Sequence, residues 1–127
     1  MIFRLFISFK LIFMELLKTL SPLIPHSCFP NSAVNQANEL VALKIIYPGV
    51  PLTIDYSTLF VGSTPAMKCT CGFNGCRRKI LGFNYLPVYF QDYYLKRDAV
   101  SGIVLASLNL KIPFYVLPGE HRPGKLS

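Results

Sequence analysis

Lys68-Cys69-Thr70-Cys71-Gly72-Phe73-Asn74-Gly75-Cys76-Arg77-Arg78 is the stretch on which the reading of this chain turns. It carries three of the four cysteines within eight positions. The fourth, Cys28, lies far upstream in Pro25-His26-Ser27-Cys28-Phe29-Pro30-Asn31. Three close thiols and one distant thiol make a candidate tetrahedral four-cysteine zinc site that would tie two separated segments together. Gly72 and Gly75 let the backbone turn tightly between ligands. Four thiolates around one divalent ion leave about two negative charges, which Lys68, Arg77, Arg78 and Lys79 are placed to offset. Two disulfides are the alternative if the chain is exported.

Export depends on the N-terminus. Residues 1–20 are rich in Phe, Ile and Leu, but Arg4, Lys10, Glu15 and Lys18 interrupt them, so no apolar run reaches the ~20 residues of a membrane span. Lys10 also splits the uninterrupted apolar stretch that a secretory signal requires. The expectation is an intracellular protein, cytoplasmic or nuclear, not a secreted one. Phe3, Phe6, Ile7, Leu11, Met14, Leu17 and Leu20 approximate helical spacing, which predicts an amphipathic helix stopping before Pro22. Its apolar face suits packing against protein better than lying on a membrane surface.

The 127 residues suit one ordinary domain, and a 52% hydrophobic content argues for a packed core. The net charge of +7 favours acidic neighbours, but the basic residues are scattered and mark no nucleic-acid groove. Pro22, Pro25 and Pro30 exclude regular helix from residues 21–31, leaving a turn-rich loop that displays His26 and Cys28. Residues 40–46 read as a buried strand, Tyr47-Pro48-Gly49 as a turn and residues 52–56 as a second strand. Alternation on the second strand puts Leu52, Ile54 and Tyr56 on one face and Thr53 and Asp55 on the other. Gly62 to Pro65 reads as a connector into the cysteine cluster. Pro87 opens a helix over residues 88–95, a second helix is expected over 99–108, and the proline-bearing tail from Lys111 reads as exposed.

Three signatures in this order resemble the C-terminal half of a SET-domain protein-lysine methyltransferase with its post-SET zinc motif. Pro25-His26-Ser27-Cys28-Phe29-Pro30-Asn31 is similar to the family's Asn-His-Ser-Cys-x-Pro-Asn segment. The run from Ala42 to Tyr56 is similar to its Ala-x-Arg-x-Ile-x-x-Gly-Glu-Glu-Leu-Thr-x-Asp-Tyr strand pair. The run from Cys69 to Arg77 is similar to the post-SET Cys-x-Cys-Gly-x-x-x-Cys-Arg. The resemblance covers about residues 24–105. It implies a truncated, mostly β SET-like fold with short helices, a post-SET zinc clip and N- and C-terminal helices. The segments are then 1–23 (apolar helix), 24–60 (C-terminal part of the SET domain), 61–87 (zinc-binding segment) and 88–127 (helical extension and tail).

The resemblance implies methyl transfer from S-adenosylmethionine to a lysine of a protein substrate, a histone or another protein. Tyr56 would orient the amine, His26, Ser27 and Phe73 would hold the cofactor, and Cys28, Cys69, Cys71 and Cys76 would bind a structural zinc. Three departures accompany it. Pro25 stands where the family has asparagine and offers neither an N–H nor a side-chain amide. Val50 and Pro51 replace the glutamate pair. The family's glycine-rich cofactor loop and first strands have no counterpart in residues 1–24, so the apolar surface of that half is left to the N-terminal helix or to a partner to cover, and a non-catalytic zinc-stapled interaction module is the rival function.

Overall fold

In a computed structural model the residues described are 18, 22–63 and 66–108. The amphipathic helix expected over 1–20, apart from Lys18, and the tail from Lys111 lie outside them, as do Thr64 and Pro65 of the connector.

Two small antiparallel sheets form among the described residues. In the first, β1 (Ser32–Val34) pairs with β2 (Leu40–Ala42), Ala33 opposite Val41. Asn35 closes this hairpin: its Oδ1 accepts from the amides of Ala37 and Glu39, its Nδ2 donates to Glu39 Oε1, and Asn38 takes a φ of 63° that asparagine tolerates. In the second sheet, β3 (Met67–Lys68) pairs with β4 (Lys79–Ile80), and the amide of Cys69 donates to the carbonyl of Arg78. The cysteine loop is therefore the tip of a two-stranded hairpin.

Two helices follow, α1 (Val88–Lys96) and α2 (Gly102–Ser107). Pro87 caps α1, where its missing N–H costs nothing, and Ser101 Oγ accepts from the amide of Val104 to cap α2. Both expected helices are present, the second shorter than its apolar run. No helix among the described residues is long and apolar enough to cross a membrane.

The expectation of a mostly β chain holds only in part, since among the described residues the helices contain more residues than the strands. The strand expected over 40–46 stops at Ala42, and Leu40 and Ile45 are exposed rather than buried. After Ala42 the Leu43 amide turns to the carbonyl of Asn31, and Pro48 and Pro51 offer no ladder donors. The strand expected over 52–56 reduces to one residue: Ile54 bridges His26 and Ser32, both in parallel sense. Side chains replace the missing ladder. Asn31 Nδ2 donates to the carbonyl of Pro51, and its Oδ1 accepts from the amide of Thr53. At Tyr56–Thr58 the backbone tightens into a 3₁₀ turn capped by Asp55.

The apolar residues gather in two clusters. One holds Cys28, Ile54, Tyr56, Leu59, Phe60, Cys69 and Ile80. The other joins Ala33 to Phe83, Leu86, Tyr94, Val100 and Val104. Between 60 and 83 the chain crosses itself closely, with the Phe83 amide donating to the carbonyl of Phe60 and the Gly82 amide to that of Gly62. A Cβ on Gly82 would stand 2.4 Å from the Gly62 nitrogen and 2.6 Å from Val61 backbone atoms. Gly82→Ala is therefore expected to cost about 1–3 kcal/mol by overpacking, read as a lowered midpoint of chemical denaturation.

Candidate metal centre

Proline-rich residues 22–31 bring Cys28 to the core, and the β3–β4 hairpin brings the other three cysteines. The Sγ atoms of Cys28, Cys69, Cys71 and Cys76 all lie within 4.8 Å of one another. Cys28 and Cys69 are 3.8 Å apart, and Cys69 and Cys76 3.6 Å. A zinc with four ~2.3 Å bonds to sulfur defines a tetrahedron with edges of about 3.8 Å, so the donor set and spacing fit zinc. All four cysteines are free of disulfide bonds, and the two-disulfide alternative does not describe this arrangement.

The surroundings suit thiolates. Backbone amides aim at the sulfurs: Arg77 N donates to Cys28 Sγ at 3.4 Å and Arg78 N to Cys76 Sγ at 3.4 Å. Arg78 reaches this position at a φ of 68°, and Gly72 turns the loop at 84°. Burial pushes the Cys28 and Cys69 thiols up. Burial acts the same way on Cys71, but the amides of Cys28 and Phe73 and the neighbouring thiols outweigh it and bring Cys71 down to about 6. A bound divalent cation would hold all four deprotonated.

His26 supports Cys28. Its Nδ1 accepts from the amide of Tyr56 at 3.0 Å, which puts the proton of the neutral ring on Nε2, 3.5 Å from Cys28 Sγ. Burial lowers its pKa from 6.5 to about 4, against the pull of Asp55. The folded state thus takes up that proton at lower pH than the unfolded chain does. Its contribution to stability is complete above pH 6.5 and declines as the pH falls from 6.5 through 4. Nitrogen-15 shifts of the His26 ring at pH 6 are expected to show a neutral ring protonated on Nε2.

Asp55 is the residue that sequence reasoning missed. Expected on a polar face, it is 1% exposed. Its Oδ1 accepts from Arg77 Nη2 at 2.7 Å and from the Ser57 amide, and its Oδ2 from the Tyr94 hydroxyl at 2.8 Å. Burial works against the Arg77 charge, and Asp55 more than restores it. Of the four cations expected to offset the cluster, Arg77 is the one turned inward, while Lys68, Arg78 and Lys79 are exposed. Asp55 links the cysteine loop, through Arg77, to the second core, through Tyr94. An acid set in the apolar run Leu52-Thr53-Ile54-Asp55-Tyr56, with an arginine directly after the last cysteine, was the available signal.

The remaining expected site residues fall as follows. Tyr56 packs edge-on to His26 with ring centres 5.4 Å apart, and its hydroxyl donates to the carbonyl of Ile24 at 2.8 Å. Burial pushes its pKa up. Ser27 donates its amide to Ile54, and its Oγ accepts from Phe29 N. Phe73 stacks on Phe29, ring centres 4.9 Å apart. The structure thus brings His26, Ser27, Tyr56 and Cys28 together, with Phe73 beside Phe29. No protein-family model, curated protein or solved structure matches the chain.

Proposed function

We propose that residues 24–105 form the C-terminal half of a SET-type protein-lysine methyltransferase, clamped by a structural zinc. The observation that carries this reading is the meeting of three distant motifs: Ile54 bridges His26, the Tyr56 amide binds His26 Nδ1, and Cys28 joins the hairpin cysteines. The Ile54 bridge uses the carbonyl of Pro25 and the amide of Ser27. The backbone N–H and C=O of His26 are left without a partner among the described residues, an open donor–acceptor pair of the kind a cofactor's polar edge needs. His26, Ser27 and Phe73 would hold S-adenosylmethionine there, and the cofactor would supply an electrophilic methyl group for a neutral lysine amine. With its proton committed to Ile24, the Tyr56 phenol has only lone pairs to offer, which suits orienting an amine through its N–H. A lysine-bearing protein is the substrate, and a partner would cover the surface left to the other half of the fold.

Calorimetry of S-adenosylmethionine binding to the zinc-loaded chain tests this reading. Heat that disappears when zinc is stripped is expected. Absence of heat at high protein concentration, with zinc present, sinks the enzyme reading. It leaves a non-catalytic zinc-stapled interaction module, which the 5% exposure of Tyr56 and the missing donor at Pro25 favour.

A further inference from the structure

Cys28, Phe29 and Pro30 also form one wall of a cavity of about 230 Å³, whose other wall is α1. Tyr89, Phe90, Tyr93 and Tyr94 stand one and four residues apart, which puts all four rings on one helix face. Tyr94, 1% exposed, belongs to the core, whereas Tyr89 and Phe29 are 69% and 54% exposed, so aromatic surface stays open to solvent. The volume lies above the roughly 150 Å³ that accepts a benzene and below the roughly 300 Å³ at which drug-sized sites begin. It suits one bulky side chain.

Charge selects among possible guests. Three of the lining rings already have a cation against a face: Lys44 Nζ 3.4 Å from the centre of Phe29, the Arg77 guanidinium 5.5 Å from Phe90, and that of Arg97 3.8 Å from Tyr93. The acids nearby are paired, Asp55 with Arg77 and Asp92 with Lys96. Arg77 Nη1 is a buried donor with no partner among the described residues, on a guanidinium that lies over the cavity residue Phe90. A cationic guest, which aromatic rings otherwise attract, meets ring faces already taken and a chain of net charge +7. Carboxylates meet complementary charge.

We propose that this cavity docks an acidic partner segment that inserts one aromatic side chain against Pro30, Tyr89 and Tyr93 and lays its carboxylates near Lys44 and Arg97. A buried aromatic anchor inside a charged rim is the arrangement that concentrates binding energy at protein interfaces. This docking requires no cofactor at His26 and no second half of the fold.

The chain has no tryptophan, so the emission of a peptide tryptophan reports its burial directly. Zinc-loaded full chain is titrated into Glu-Glu-Trp-Glu-Glu and into Lys-Lys-Trp-Lys-Lys, with Glu-Glu-Ala-Glu-Glu as competitor. The acidic tryptophan peptide is expected to shift to the blue and to bind at least about tenfold tighter than the other two. Tyr89→Ala and Lys44→Glu alter exposed side chains and are each expected to weaken it at least about fivefold. Added salt should weaken it further. The proposal is overturned by an absent blue shift, by equal or tighter binding of the lysine peptide, by equal competition from the alanine peptide, or by full affinity in Tyr89→Ala.

Discussion

Stripping zinc from the chain with a chelator should lower its thermal unfolding midpoint by about 15–30 °C. A ligand that binds only the folded state, present at about a thousand times its dissociation constant, contributes about 4 kcal/mol, and each kcal/mol moves the midpoint of a domain of this size by about 4–8 °C. The effect would be large because a metal held by these four cysteines would stand in for core. The β3–β4 hairpin has two residues in each strand, too little ladder to hold its register alone. Its ties to residues 22–31 run through Cys28 and through the stack of Phe73 on Phe29. Without the ion, the buried Cys28 and Cys69 thiols are pushed up towards their protonated forms. The hairpin is then anchored by Ile80, Cys69, the Phe73–Phe29 stack and the bonds of Arg77 to Asp55 and Ser57. Differential scanning calorimetry with and without chelator measures the shift, and a Cys69→Ser variant in excess zinc should approach the chelated value.

Asp55→Asn is the substitution expected to cost most without touching a sulfur, about 3–5 kcal/mol. An amide keeps nearly the same shape but removes the charge that makes a buried Arg77 tolerable, and it offers one acceptor oxygen where Arg77, Ser57 N and Tyr94 now share two. A loss of that size is a third or more of the stability of an ordinary domain, which is about 5–15 kcal/mol. Urea denaturation of the zinc-loaded variant measures it. Tyr94→Phe, which removes one neutral donor and leaves the ion pair intact, should cost much less, about 1 kcal/mol. Equal losses in the two variants would mean that the Arg77 charge is not what Asp55 supports.

The parts of the fold legible in the sequence are those decided by local chemistry. The cysteine spacing announces a metal site because ligand number and geometry constrain it directly. Pro22, Pro25 and Pro30 fix a loop because their rings forbid the alternatives, and Pro87 marks where α1 begins. Asp55 was illegible for the opposite reason. Alternation assumes a strand with one wet face, but Ile54 sits between His26 and Ser32 while Arg77 and Tyr94, 22 and 39 residues away in sequence, close over Asp55. The strand expected over 52–56 shrank because Asn31 takes the Pro51 carbonyl and the Thr53 amide that a ladder would have used, and hydropathy does not register an asparagine's hydrogen bonds. The resemblance assigns His26 to holding a cofactor. Its ring turned out to carry a separate task, with one nitrogen on Tyr56 and the other towards Cys28.

The most direct test of the four-cysteine clamp is cobalt substitution, followed by absorption spectroscopy and metal counting on the intact chain. One cobalt per chain is expected, with the intense ligand-field and sulfur charge-transfer bands of a tetrahedral four-thiolate site. Zinc should displace it, and Cys28→Ser should weaken the bands. Contradiction would be no bound cobalt in the reduced chain, or an unchanged four-thiolate spectrum in Cys28→Ser, since Cys28 would then lie outside the metal shell and the link between residues 22–31 and the hairpin would fail.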